Sequence, residues 1–233
     1  GDLFAGDESI KRHPDPVEVA PWNRQKLLAK EKSALGLYLS GHPLNRFADE
    51  IKAFTKVDLG KLNSLGNGAP VSAAGMLNKL DKTSTKKGKP MAYGIIEDLE
   101  DTAKVVFFPK SYASCGSLLE EGNLYLFRGS FKADSRGEKI EVEQVIPLEE
   151  ARSRLARYLH LKVDAEIAPE EIEEGKKILA QYNGDIPLKL HIVAPEHTYR
   201  AVSAEYYSDA SRELVRSLRE IYGEDNVWIS ESS

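Results

Sequence analysis

At Val71 the spacing of apolar residues changes, and that change constrains the fold more than any other feature of the chain. Before it, apolar positions recur every three or four residues, the spacing of one helix face. After it they alternate, the spacing of a strand with one wet and one dry side. Alternation runs through Val71–Asp81, Pro90–Leu99 and Lys104–Phe108, with a loop predicted at Thr83–Lys89 and a tight turn at Glu100–Thr102. Helical spacing then returns once. Tyr112, Cys115 and Leu118/Leu119 fall on one face of a helix predicted from Pro109 to Glu120 and stopped at Gly122. Asn123–Lys132 and Glu138–Ile146 resume the alternation across the turn Asp134-Ser135-Arg136-Gly137. The order βββαββ predicts a five-stranded OB-fold barrel over residues 70–147. The strands alone also fit another small barrel, such as an SH3-like one. The helix between strands three and four favours the OB order.

The flanks read differently. Residues 1–21 are polar and hold Pro14, Pro16 and Pro21, which forbid a regular helix and predict a linker. Residues 22–69 predict a helical adaptor. Trp22–Leu39 puts Leu28, Leu35 and Tyr38/Leu39 on one side and Lys30, Glu31 and Lys32 on the other. Gly41 and Pro43 stop that helix, and Pro43 opens a shorter one to Phe54 with Phe47 and Ile51 on its apolar face. Asn63–Pro70 is a turn-rich joint.

After the barrel, Glu149–Arg157 predicts a helix and Leu159, Leu161 and Val163 a strand. Pro169 opens a helix presenting Ile172, Gly175, Leu179 and Tyr182. Leu188, Leu190 and Ile192 form a strand, and Pro195–Glu196 turns it into Tyr199–Ala204. Ser208 is placed to cap a helix carrying Leu214, Val215, Leu218, Ile221 and Tyr222, ended by Gly223, and Asn226–Ser230 is a last strand. This βαββαβ order predicts a ferredoxin-like domain over residues 148–233, so the whole reads as a multidomain α+β chain. Val71–Ile146 and Leu159–Ser230 are expected to hold separate cores.

Composition narrows the function. The net charge is −5 over 233 residues, which excludes a uniformly basic nucleic-acid wrapper. Residues 1–69 carry 10 basic and 9 acidic side chains, residues 70–146 carry 11 of each, and residues 147–233 carry 11 basic and 17 acidic. An acidic end fits a protein-binding surface better than a DNA-binding one. There is no apolar run of membrane-spanning length and no signal peptide, and the single cysteine, Cys115, fits a reducing cytoplasm. The first residue is Gly rather than Met, as expected of an excised or processed piece.

Motifs for catalysis are missing from the sequence. It holds no phosphate-binding Gly loop, no dinucleotide fingerprint and no His-Glu-x-x-His. His13, His42, His160, His191 and His197 are scattered; His42 reads as packing in its turn, and His191 as solvated. Cys115 falls on an apolar helix face and reads as core. The one tempting metal site is Glu97-Asp98-Leu99-Glu100-Asp101, although carboxylates in a strand-to-strand turn are ordinary turn residues. The basic hairpin says more. Lys79, Lys82, Lys86, Lys87 and Lys89 gather at the loop between strands one and two, against Asp81 alone, and Arg136 lies on the loop between strands four and five. In OB-folds those two loops and the face of strands two and three form the nucleic-acid groove. Tyr93 and one of Phe107/Phe108 can stack on bases, only one of the pair because strand side chains alternate. The plainer alternative is a Lys-rich hairpin that keeps a sheet edge soluble.

The stretch Glu31-Lys32-Ser33-Ala34-Leu35-Gly36-Leu37-Tyr38-Leu39-Ser40-Gly41-His42-Pro43-Leu44 resembles the segment preceding the OB domain in the bacterial DNA polymerase III α-subunit family. The order of elements after it resembles that family too. The resemblance implies the region after the polymerase core of this replicative DNA-directed DNA polymerase, a nucleotidyltransferase. It implies single-stranded DNA as a partner of the OB domain and the clamp-loader τ subunit as the partner of residues 148–233. Gly1-Asp2-Leu3-Phe4 is similar to the end of the family's sliding-clamp peptide, Gln-x-Asp/Ser-Leu/Met-Phe, with Leu3 and Phe4 as the apolar anchors. Without the leading Gln, clamp binding through Asp2, Leu3 and Phe4 is expected to be weak. The catalytic aspartates and their Mg2+ belong to the core, so no catalysis and no cofactor are expected here. The rival readings are an RNA- or tRNA-binding OB protein, a small metal-dependent phosphoesterase using the 97–101 cluster, and an OB module that binds only protein.

Overall fold

In the computed structural model the described residues are Glu31, Ala34 and residues 41–232 except Arg136. Apart from Glu31 and Ala34, the predicted Trp22–Leu39 helix lies outside them, as do the linker and Asp2, Leu3 and Phe4.

Five strands close a barrel: β1 (Pro70–Ser84), β2 (Pro90–Glu97), β3 (Thr102–Phe107), β4 (Leu124–Asp134) and β5 (Gly137–Pro147), paired in the order β1-β2-β3-β5-β4 and back to β1. All neighbours are antiparallel except β3 and β5, which run parallel through Val105–Ile140 and Val106–Glu141. β1 serves two partners. Its first half pairs with β4, its second with β2, and a bulge between Leu77 and Lys79 bends it from one to the other. A second bulge places an extra residue, Glu143 of β5, opposite the step from Arg128 to Gly129 on β4. A Cβ on Gly129 would come within 2.0 Å of the Glu141 carbonyl oxygen, so only glycine fits there. These are the strands and connections of an OB-fold.

The barrel interior is filled by Leu77, Ala92, Ile96, Val105, Phe107, Phe127 and Ile140, all buried. The helix between β3 and β4 covers one end of this core. It spans Pro109–Cys115, shorter than expected, because Gly116 ends it at a close approach to Tyr112. Tyr125 braces the following turn, its hydroxyl donating to the Leu118 carbonyl and accepting from the Glu120 amide. Cys115 lies in this apolar packing, and burial pushes its thiol up to about 11, so it is a core residue as expected.

A 3-10 turn (Pro43–Phe47) leads into the helix Ala48–Phe54 before the barrel. His42 caps that turn, its Nδ1 accepting from the Leu44 amide at 3.2 Å. After the barrel come a helix at Leu148–Leu155 and a four-stranded sheet: β6 (Tyr158–Asp164), β7 (Ile186–Val193), β8 (Thr198–Ser208) and β9 (Val227–Ser230), in the order β8-β7-β6-β9. The helices Pro169–Leu179 and Arg212–Tyr222 supply the connections. The element order is the expected βαββαβ, but the pairing departs from the ferredoxin-like arrangement. β6 and β7 are adjacent and parallel, Leu159 beside Leu188, with no strand inserted between them. Alternation fixes which residues share a face and leaves open which strands are neighbours. The Arg212–Tyr222 helix is capped by Ser211, whose Oγ accepts from the Leu214 amide; Ser208 ends β8 instead, and its Oγ accepts from the Ala210 amide. The two helices touch at Gly175, where any Cβ would lie 2.0 Å from the Tyr222 hydroxyl.

The expected separation of cores does not hold on one side of the barrel. A second apolar cluster joins the outer residues Ala74 and Leu126 of the barrel wall to Leu44, Phe47 and Phe54. It continues through Leu148, Ala151 and Leu155 to Leu159, Leu214, Leu218 and Ile229 of the second sheet and its helix. The reason is that outward-facing Ala74 and Leu126 are apolar and the short flanking helices cover them. Beside this cluster lies a buried ionic joint. Glu50 Oε1 accepts from Arg152 Nε at 2.8 Å and from Arg212 Nε at 3.0 Å. Asp49 accepts from Arg219 at 2.8 Å and from Arg152 at 3.2 Å. Burial alone would raise the Asp49 pKa, but Arg219 and Arg152 hold it below its usual value.

Candidate nucleic-acid interface

The cross-strand register builds the outer face of β1, β2 and β3 row by row. Lys79, Ile95 and Lys104 form one row, and Asp81, Tyr93 and Val106 the next. Inward of these, Leu77, Ile96, Gly94 and Val105 face the core, so the rows above point outward; Val106 is covered there, at 2% exposed, while Lys79, Asp81, Tyr93, Ile95 and Lys104 are open. Tyr93 is 44% exposed and Phe108, just past the end of β3, is 43% exposed. Phe107, opposite Ala92, is fully buried, so Phe108 is the ring presented to solvent.

The lysines cluster at one end of this face. β1 and β2 extend past the barrel as a ladder, Lys82 opposite Ala92 and Ser84 opposite Pro90. The ladder closes in a turn in which the Thr85 amide donates to the Lys89 carbonyl and the Gly88 amide to the Thr85 carbonyl, both at 2.8 Å. Gly88 takes φ +73 there, a conformation that suits glycine. Lys82, Lys86, Lys87 and Lys89 are all exposed. Lys79 is engaged with Asp81 at 2.8 Å, and that carboxylate holds its ammonium above the usual range. Arg136 lies outside the described residues. On the same β4–β5 hairpin Lys139 pairs with Asp134 and stands opposite Lys132.

Two members of this face were not singled out from the sequence, Lys104 and Ile95. Lys104 sits two positions before Val106 on the same strand face, which alternation alone would have revealed. Glu141, in register with Val106, is the acidic member of the outer surface at its β5 side.

The acidic turn has a different job. Asp98 accepts from the Leu59 amide at 2.8 Å through one oxygen, and from the Glu100 and Asp101 amides at 2.9 and 2.8 Å through the other. Both carboxylate oxygens are thus committed to bracing the β2–β3 turn against a second 3-10 turn, Leu59–Ser64, a set of donors that does not suit a metal ligand. Asn78 donates to Glu97 alongside.

A closed β1-β2-β3-β5-β4 barrel with a helix between β3 and β4 is an OB-fold module, and this one carries exposed rings and lysines on its outer face. Residues 71–148 match the family described as OB-fold nucleic acid binding domain. The chain as a whole matches bacterial DNA polymerase III α subunits. It is 27% identical to DNA polymerase III subunit alpha of Pseudomonas aeruginosa over 98% of this chain and 20% of that one. It is 27% identical to the subunit of Halalkalibacterium halodurans, over 93% and 19%, and 28% identical to that of Escherichia coli K12, over 94% and 20%. The chain therefore spans about a fifth of the length of the curated relatives it matches. Among solved structures, a small single-stranded DNA-binding protein from Streptomyces coelicolor aligns over 36% of this chain and 95% of its own, with 13% identity and a TM-score of 0.30. Among the described residues no helix is long and apolar enough to cross a membrane.

Proposed function

We propose that this chain is a non-catalytic segment of a bacterial replicative DNA polymerase α subunit and binds template single-stranded DNA on the outer face of β1–β3. The observation that carries the reading is the pairing of two exposed rings, Tyr93 and Phe108, with the lysine-tipped β1–β2 hairpin on one face of an OB barrel. Lys82, Lys86, Lys87, Lys89 and Lys104 supply phosphate contacts, while Lys79 shares its charge with Asp81. Nucleotidyl transfer and its Mg2+ belong to the rest of the parent chain, in the cytoplasm. Residues 148–233 attach to the clamp-loader τ subunit, and Asp2, Leu3 and Phe4 engage the sliding clamp weakly.

The test is fluorescence anisotropy with a labelled oligo(dT) across a salt series. With ~3 phosphates contacted, log K falls against log salt with a slope of about −2. Replacing Lys86, Lys87 and Lys89 together with Ala weakens binding and flattens that slope. Tyr93→Leu weakens binding and leaves the slope unchanged. A triple variant that binds as the parent does at low salt overturns the assignment. Tighter binding to RNA of equal length moves the reading to an RNA-binding OB protein.

A further inference from the structure

The second sheet has a face that turns away from its helices. Leu159, Leu161, Leu188, Val227 and Ile229 point to the helical side and join the shared apolar cluster. Their alternates must therefore point the other way. On β6 and β9 these are Tyr158, His160, Trp228 and Ser230; on β7 they include Lys189 and His191.

The rings on that face form one contiguous platform. His160 stacks on Trp228 with centroids 4.8 Å apart and planes 8° from parallel. His191 lies 5.0 Å from Trp228 and 5.1 Å from His160, and Tyr158 lies 6.1 Å from His160. Hydrogen bonds fix the arrangement: His160 Nδ1 meets His191 Nε2 at 2.8 Å, and His160 Nε2 meets Ser230 Oγ at 2.7 Å. Reading the sequence left His191 in solvent and passed over His160 and Trp228; β6 lies between β7 and β9, and it is this strand order that brings the three together.

The charge on this face opposes that of the segment around it. Residues 147–233 carry 11 basic and 17 acidic side chains. Yet the platform is flanked by Lys189, whose ammonium lies 5.3 Å over the Tyr158 ring, and by Lys162 and Arg200 in the row through His191. The carboxylate on these rows is Asp164 at the end of β6, and it accepts from the Glu166 amide. The partly exposed rings of Tyr158, His191 and Trp228, backed by the buried His160 and set among cations on a four-stranded sheet, are what a single strand of nucleic acid needs: faces for bases and positive charge for phosphates. An acidic peptide would use the cations but not the ring platform.

We infer that this face is a second single-stranded DNA site, separate from the barrel, with Trp228 at its centre and Lys162, Lys189 and Arg200 as phosphate contacts. It stands apart from the barrel reading, since it shares no residue with the β1–β3 face.

The chain has two tryptophans, Trp22 and Trp228, so Trp22→Phe leaves Trp228 as the sole reporter. The experiment titrates this variant with oligo(dT), with RNA of equal length and with polyglutamate, reading tryptophan emission. Oligo(dT) is expected to quench Trp228. The quenching should persist when Lys86, Lys87 and Lys89 are replaced by Ala, which separates this site from the barrel. It should weaken roughly tenfold in affinity when Lys162, Lys189 and Arg200 are replaced by Ala. A circular-dichroism melt of the second triple variant guards against loss of folding, and the single Lys162→Ala variant, at an exposed position, gives the same reading at a smaller effect. Five results overturn the proposal: no quenching by oligo(dT), quenching lost when Lys86, Lys87 and Lys89 are replaced, quenching that ignores Lys162, Lys189 and Arg200, quenching by RNA at lower concentration, and equal quenching by polyglutamate. The last would mark a site for acidic protein instead.

Discussion

β1 is one strand in two environments. From Val71 to Leu77 every side chain is buried, whichever way it points; from Asn78 to Ser84 all but Leu80 are exposed. Both halves are extended strand on either side of the bulge, so the neighbours make the difference. The first half has the barrel core inside and the short flanking helices outside. There the Ser72 hydroxyl donates to the Phe54 carbonyl at 2.6 Å, and the Lys56 amide donates to the Ser72 carbonyl. The second half passes the bulge, takes β2 as its partner and carries charge out to the hairpin tip. An outer barrel wall is thus either structural or available for binding, according to what packs against it.

The largest effects should come from breaking the covered side. Arg152 is the hub of the ionic joint, bonded to Glu50, Asp49 and the Ala210 carbonyl. Glu50 is 1% exposed, so removing Arg152 leaves its buried carboxyl with only the partly exposed Arg212, and Asp49 with only Arg219. Arg152→Ala should cost ~3–5 kcal/mol in urea unfolding, whereas Lys82→Ala on the open half should stay within about 0.5 kcal/mol. Equal effects at the two positions would mean that the covered wall is no more structural than the open one.

A second, smaller effect sharpens the comparison at the other sheet, where one face is open yet holds a buried titratable group. His160 is 5% exposed, and burial, with the nearby His191 and Lys189, lowers its pKa from 6.5 to about 4. Its folded form therefore stays neutral where the unfolded form takes up a proton. The unfolded chain binds more protons between pH 6.5 and about 4, so stability is full above that window and falls as pH drops through it. The loss should reach roughly 2 kcal/mol by pH 5. His160→Gln should remove most of this pH dependence in urea titrations at pH 7 and pH 5. A parent chain as stable at pH 5 as at pH 7 would place His160 outside the packed platform. Asp49 contributes in the same sense only at lower pH, since its pKa sits below 3.8.

These regions were not equally legible in the sequence. The barrel was, because each strand alternates cleanly and its one helix falls where an OB barrel needs it. Lys86, Lys87 and Lys89 were legible for the same reason, since a loop between two recognised strands has a fixed place in that barrel. The choice between Phe107 and Phe108 needed the register, which assigns Phe107 to the core beside Ala92. The covered wall was not legible: Ala74 and Leu126 read as ordinary alternation, and nothing local says that Phe47 and Leu155 pack on the same cluster. The Asp49–Glu50–Arg152–Arg219 joint was hidden for a related reason, as its charges lie about 100 to 170 residues apart and are joined only by packing. The parallel contact of β6 with β7 was likewise invisible, because one residue spacing serves several strand orders.

The smallest predicted effect tests whether charge on the open half of β1 acts as a sum or as pairs. Lys79 and Asp81 are two residues apart on the same outer face, in an ion pair of 2.8 Å with both side chains more than half exposed. Such an exposed pair adds little to stability, but it matters to a passing phosphate. A lysine held by a carboxylate presents almost no net charge, and Asp81 stands directly across from Tyr93, where a base would stack. Asp81→Asn should therefore free Lys79 and tighten oligo(dT) binding by about threefold at low salt, with the salt slope steepening by about 0.7 if one more phosphate is contacted. The double variant Lys79→Ala with Asp81→Asn should return to within about twofold of the parent, because it removes a charge and its opposite together. If Asp81→Asn leaves affinity and slope unchanged, the strand passes beyond reach of this row, and the contact surface contracts to the hairpin tip and the two exposed rings.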